Sequence, residues 1–261
     1  NVCVGVGGPD IINKSHFLGA VCNMETIMGR VDTPVRRLYN EAVEQFAADL
    51  PVTYLLTVVG PDAAGGLSMR GFYAGDDRTT FERAARLSQQ TNITMLDEPL
   101  DKVVVYLDPV EFKSTWLGNK AIYRTRMAMA DDGELIVLAP GLHTFGEDSQ
   151  VDALIRQYGY CGTEKTLAAV EMDPLLRENL GAAAHLIHGS SEGRFRVTYC
   201  PGPGLSQSAL QAVGYETADL AAMLERYDPA TLVPGFNALS DGERVFFVPN
   251  PALGLWSVRN G

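Results

Sequence analysis

An α/β protein is what the sequence predicts: mixed, largely parallel sheets flanked by helices, arranged as two α/β lobes. Short β-branched and apolar runs alternate with helical patterns through most of the chain, the signature of that class. Two fully apolar runs, "KVVVYL" (102–107) and "ELIVLAP" (134–140), bracket a helical stretch, and a strand, helix, strand series favours parallel pairing with a right-handed crossover. At 261 residues, 46% of them apolar, the chain exceeds the usual size of one domain and has material for a substantial core. The lobes are expected at 1–100, holding a glycine pair, and at 101–261.

"VCVGVGG" (2–8) reads as a strand running into a turn. Thr33 followed by Pro34 is a good N-cap with proline at the first helical position. The helix it opens carries Val35, Leu38, Ala42, Phe46 and Leu50 along one face and ends before Pro51. "VTYLLTVV" (52–59), the turn "GPDAAGG" and "LSMRGFYA" (67–74) predict a hairpin, and "GDDRTT" starts a helix running to Asn92. After "KVVVYL", Asp108 and Pro109 are expected to cap one long helix reaching Ala130, and "ELIVLAP" follows as a buried strand. Beyond it "SQVDALIRQYGY" and "DPLLRENLGAAAHLIH" are helical, "RFRVTYC" is a strand, "DLAAMLERYD" a helix and "RVFFVPN" (244–250) a last strand. The chain opens on Asn1 and enters structure at once, which suggests that an N-terminal portion is missing or has been processed away.

A formal charge of −11 argues against a nucleic-acid partner, because such footprints need clustered Lys and Arg. Small anions at local sites remain open. No apolar run approaches the ~18 residues that span a bilayer, and no signal-peptide pattern is present. Cys3, Cys22, Cys161 and Cys200 form no C-x-x-C pair, which suits reduced thiols and a cytoplasmic location better than a disulfide framework.

Lys14, beyond Gly7 and Gly8, is placed either to meet a phosphate or to carry an adduct, since glycines let backbone N–H groups approach an anion. On composition alone it reads more readily as a surface lysine beside a turn, and the spacing does not fit a nucleotide-triphosphate loop. Lys113, Lys120 and Arg124 stand at helical spacings with Leu117 between them, a candidate anion stripe or a solvated face. His185 and His188 have a chelating spacing, although histidines near a helix C-terminus are also favoured by the dipole. His143, with Glu147 and Asp148 after it, follows a buried strand, where α/β folds place functional loops.

Taken together, several segments resemble the nickel-dependent lactate racemase family. They are "GG" with "KSHFLG" and "METI", "LTVV" leading to "FYAGD", "LGNKA" with "DDGELIVLAPGLHTFGED", and "LSQSALQAVGY". The likeness is to the later part of such proteins. It implies a 2-hydroxy acid racemase working by reversible hydride transfer to a nickel-pincer nucleotide, with cofactor-synthesis proteins as partners. It places the cofactor on Lys14, five residues before Gly19, beside Gly7 and Gly8, and the substrate, a 2-hydroxy acid or related anion, on Lys120, thirteen before Gly133. The chain departs from the pattern in carrying Gly29 and Arg30 where the family has a metal-ligating histidine, Leu117 where it has a substrate-binding glutamine, and "PDIIN" between the glycines and Lys14. A relative that lost the metal site and binds a small anion is the alternative. Leu117 implies a substrate bulkier or less polar than lactate. His16 is a candidate replacement nickel ligand, because in an extended stretch residues 14 and 16 point to one side about 7 Å apart.

Overall fold

The computed structural model describes residues 2–62 and 66–259, and the chain divides into two units, Asn1–Thr94 and Met95–Gly261. Among the described residues no helix is long and apolar enough to cross a membrane.

Unit 1 begins with a helix, α1 (Val2–Val21), broken at Gly8 (φ 59°, ψ −152°) just before Pro9. The expected strand at 2–8 is therefore corrected. Gly8 takes a backbone conformation that side chains disfavour, and Pro9 suits the first position of the helical stretch that resumes. A single turn, α2 (Met24–Ile27), is capped by Asn23, and α3 (Pro34–Phe46) is capped by the Thr33 hydroxyl, which accepts from Arg36 N. This helix ends at Phe46, four residues short of Leu50, and the expected apolar face is not buried: Leu38, Phe46 and Leu50 are 48%, 83% and 53% exposed. The side that packs on α1 is the one with Tyr39, whose hydroxyl donates to Ser15 Oγ (2.6 Å) and whose carbonyl accepts from Cys3 Sγ (3.7 Å).

The hairpin forms as predicted. Strands β1 (Tyr54–Pro61) and β2 (Leu67–Gly75) pair antiparallel from Tyr54↔Gly75 to Pro61↔Leu67, with a bulge at Val58/Val59. Leu56, Val58 and Gly60 alternate inward against α4 (Arg78–Asn92), the period-two burial of a one-sided sheet. Asp77 caps α4 by accepting from Thr80 N. The strand β3 (Ile93–Leu96) carries the chain into the second unit.

Unit 2 is a six-stranded sheet. Its elements in order are β4 (Leu100–Tyr106), α5 (Thr115–Gly118), α6 (Lys120–Thr125), β5 (Met129–Ala139), α7 (Ser149–Tyr158), α8 (Thr163–Met172), α9 (Pro174–Glu178), α10 (Leu180–His188), β6 (Arg196–Pro201), α11 (Gln207–Ala212), β7 (Glu216–Thr217), α12 (Leu220–Arg226), β8 (Gly235–Ala238), β9 (Arg244–Val248) and β10 (Leu255–Val258). The strand order is β7-β6-β5-β4-β9-β8, parallel throughout except for β8, which runs antiparallel to β9 at the edge. Val103, Val104 and Val105 at the sheet centre are fully buried, as expected of a strand covered on both faces. Val104, Ile136, Leu138, Cys200 and Phe247 form one face with Tyr227 and the partly buried Leu220, Met223 and Leu224 of α12. Tyr199, one residue before Cys200, turns to the other face and reaches Asn119 between α5 and α6.

The single long helix expected from Asp108 to Ala130 is corrected to two short ones. Asp108 Oδ1 accepts from Val110 N and Glu111 N and closes only one turn. Helix begins at Thr115, capped by Ser114, and breaks again at Asn119.

Candidate active site

The loops that leave β4, β5 and β6 meet at the C-terminal end of the sheet, where open parallel sheets carry their ligands. Residues 113–115 and 143–145 run side by side: His143 N donates to Lys113 O (2.8 Å), Thr115 N to Thr144 O (3.1 Å) and Trp116 N to Phe145 O (2.9 Å). Ser114 Oγ donates to Glu147. The third loop closes over this pair because Gly204 lacks a side chain. A Cβ there would overlap His143 Nδ1 and lie 2.6 Å from Leu142 O.

The cationic residues expected on one helix face are dispersed by the break at Asn119. Lys113 is exposed in the loop ahead of α5. Arg124 donates through Nη1 to Gly254 O (3.1 Å) and is occupied structurally. Lys120 is half-buried at the start of α6, with Nζ 5.7 Å from the centre of the Phe112 ring. Among the described residues no carboxylate is paired with it. A cation at a helix N-terminus gains nothing from the helix dipole, so the Phe112 face is its main support.

His143 lies exposed on the post-β5 loop, as its place after a buried strand implied. Its acidic neighbours are engaged elsewhere: Glu147 accepts from Ser114, and Asp148 caps α7 by accepting from Gln150 N and Val151 N. Asp152, not anticipated from sequence, accepts from Thr144 Oγ1 (2.6 Å), Phe145 N (2.8 Å) and Arg156 Nε (2.6 Å). Although burial opposes its charge, these donors hold its carboxyl down at about 2, and it fixes the loop as a permanent anion.

Beneath the loops lies a buried polar cluster that sequence reasoning missed, apart from His185. Tyr160 Oη is 3.0 Å from His185 Nε2 and 2.7 Å from Thr115 Oγ1, and Thr115 donates to Phe145 O (3.0 Å). One protonation pattern satisfies all three contacts: Thr115 donates to Phe145, Tyr160 to Thr115, and His185 from Nε2 to Tyr160. Tyr199 and Tyr215 both donate to Asn119 Oδ1 (2.7 and 3.1 Å). The His185 ring also stacks against Trp116 at 4.5 Å. Burial, reinforced by His188, pushes the His185 pKa down to about 3, so the imidazole is neutral. His185 is a structural residue.

In unit 1, Gly7 lies within α1 and Gly8 at its kink, so the glycine pair bends a helix instead of ending a strand. Lys14 is exposed, its Nζ 2.8 Å from Asp10 Oδ2 one turn earlier. His16 Nδ1 faces Ile12 O at 2.7 Å. The extended geometry expected for residues 14–16 is corrected: two residues in a helix differ by about 200° around its axis, so the two side chains leave on different sides. Among the described residues no group of three or more histidine, cysteine, aspartate or glutamate side chains could hold a metal ion. The Lys14 amine, exposed and paired with Asp10, is open to covalent attachment, and the exposed His16 ring, its Nδ1 at Ile12 O, leaves the helix on another side from Lys14.

No protein-family model and no curated protein sequence matches the chain. Several solved chains share its fold, among them the following two. A crystal structure of a Thermotoga maritima protein superposes with a TM-score of 0.74 at 20% identity, over 95% of this chain and 59% of that one. The lactate racemase apoprotein of Thermoanaerobacterium thermosaccharolyticum superposes with a TM-score of 0.60 at 13% identity, over 87% of this chain and 50% of that one. The chain thus spans between half and three fifths of the length of each.

Proposed function

We propose that the chain belongs to a racemase or epimerase of a 2-hydroxy acid that works with a nickel-pincer nucleotide. Lys120 is the observation that carries this reading. It is a half-buried ammonium without a carboxylate partner among the described residues, backed by the Phe112 ring and standing where the resemblance puts a substrate lysine. A fold like that of a lactate racemase apoprotein supports it. The C2–H of a hydroxy acid is a weak acid, and the bound cofactor would supply a route for hydride to leave C2 and return. Lys120 would bind the substrate carboxylate and orient C2, Leu117 would present an apolar wall favouring side chains larger than methyl, and the exposed Lys14 amine would be the attachment point.

The test is expression of the chain together with cofactor-synthesis enzymes, followed by mass spectrometry of Lys14, nickel analysis and chiral chromatography of lactate and larger hydroxy acids. The expected result is an adduct on Lys14 and a loss of about 100-fold in kcat/KM on Lys120→Ala, the cost of removing one partner from a desolvated ion pair, with the adduct retained. An unmodified Lys14, or racemisation indifferent to Lys120→Ala, overturns the proposal. The helical course of 14–16 favours a second reading, binding of a small anion without metal. Lactate bound by metal-free protein and lost on Lys120→Ala would establish it instead.

A further inference from the structure

Unit 1 holds a cleft of about 290 Å³ between α3, the start of α1, β1 and the start of α4. Two hydrogen-bond donors on one face of α3 line it, Arg36 and Asn40, one turn apart. The Arg36 guanidinium lies 3.7 Å from the centre of the Phe81 ring and is half-buried, which works against its charge. Its neighbours Arg37 and Arg78 are satisfied by Asp32 (2.6 Å) and Glu82 (2.9 Å), whereas among the described residues no carboxylate pairs with Arg36. The Asn40 Nδ2 group is buried without a hydrogen-bond partner. The Arg36 guanidinium, half-exposed to the cleft and without a carboxylate among the described residues, asks for an occupant that brings acceptor oxygens. Phe81, Tyr54 and Tyr39 provide flat walls. Glu44, Asp76 and Asp77, all exposed, also line it and disfavour a second negative charge.

We infer that this cleft is a binding site for a monocarboxylate with a flat apolar body, its carboxylate held by the Arg36 guanidinium and its body against Phe81 and Tyr54. A guanidinium recognises a planar carboxylate through two parallel donors, and the aromatic walls take the apolar part. The site is built from unit 1 alone, whereas Lys120 belongs to unit 2, and the inference does not depend on the activity proposed above.

Benzoate is the probe, titrated into the chain by calorimetry and ligand-observed NMR. The expected result is saturable binding with a Kd on the order of 1 mM or tighter, weaker for the dianion phthalate and absent for neutral benzamide. Arg36→Met should weaken binding at least about tenfold, and Arg36→Lys should restore part of it. Lys120→Ala should leave the affinity untouched. Benzamide binding as well as benzoate, binding indifferent to Arg36→Met, binding lost on Lys120→Ala, or no binding at about 10 mM would each overturn the inference.

Discussion

Acid should weaken unit 2 through His185 well before its carboxylates titrate. With a folded-state pKa of about 3 against roughly 6.5 in the unfolded chain, the unfolded state binds the extra proton between these values. Stability is therefore fully present above pH 6.5 and falls as the pH drops toward 3. The loss approaches about 1.4 kcal/mol per pH unit, which sums to about 2.5 kcal/mol between pH 7 and 4.5. Aspartates held below their ordinary range, such as Asp152 at about 2, lose their contribution below their unfolded value near 4, and Glu243, held down against burial by Lys102 and Arg226, begins to lose its own at about pH 5, so between pH 7 and 4.5 the imidazole carries most of the change. Urea unfolding followed by tryptophan fluorescence is a suitable assay, because Trp116 contacts the His185 ring. With a slope of about 2 kcal/mol/M the midpoint should move by about 1 M between the two pH values. His185→Gln keeps a hydrogen-bonding group for Tyr160 but cannot titrate, and it should abolish most of this shift while costing some stability at pH 7. Parallel pH dependence in the wild type and His185→Gln would refute the reasoning, because the buried imidazole would then not be what acid attacks.

Two further substitutions probe the loops and the cluster beneath them. Asn119→Leu removes the acceptor for Tyr199, while Tyr215 keeps Gly189 O at 2.9 Å; one stranded hydroxyl should cost about 1–3 kcal/mol in urea unfolding at pH 7, and a neutral effect would show that Tyr199 has another acceptor. Gly204→Ala should cost about 1–3 kcal/mol and shift the His143 imidazole resonances in NMR. Adding His143→Ala should recover less than half of that loss, since Leu142 O still blocks the new methyl at 2.6 Å; full recovery would show that only the mobile ring stood in the way.

Where the chain's local and nonlocal preferences agree, its elements are readable from sequence. The α3 and α4 starts follow from Thr33-Pro34 and Asp77, side chains that close their own caps within three residues. β4 and β5 follow from runs too apolar to face water. The misreadings arise where a short stretch is compatible with two local structures. "VCVGVGG" has the β-branched alternation of a strand, yet it is helical beside α3, where Cys3 reaches the Tyr39 carbonyl; packing against another element overrides the weak local preference. Asp108-Pro109 is a helix start by composition, but the backbone at 113–115 is claimed by the strand-like contact with 143–145, and the helix begins only after that contact is made.

The same distinction separates the candidate residues that sequence reading singles out from those it does not. Lys120 is singled out by a likeness in local motifs, and His143 by its position after a buried strand, both properties of short contiguous segments. What no short segment reveals is a missing partner. Arg36 stands next to Arg37 in the sequence and lines the same cleft as Arg78, and nothing in the order of residues says that Arg37 finds Asp32 and Arg78 finds Glu82 while Arg36, among the described residues, finds the Phe81 and Tyr39 rings and no carboxylate. Asn119 and Tyr215 are 96 positions apart, and the cluster they share exists only because α5, α10, β6 and the start of β7 converge on one side of the sheet. Sequence patterns specify what a residue can offer, a charge, a donor or a flat face. Whether that offer is taken up depends on neighbours brought in by the fold, and a site awaiting a ligand is a place where the fold has left an offer unanswered.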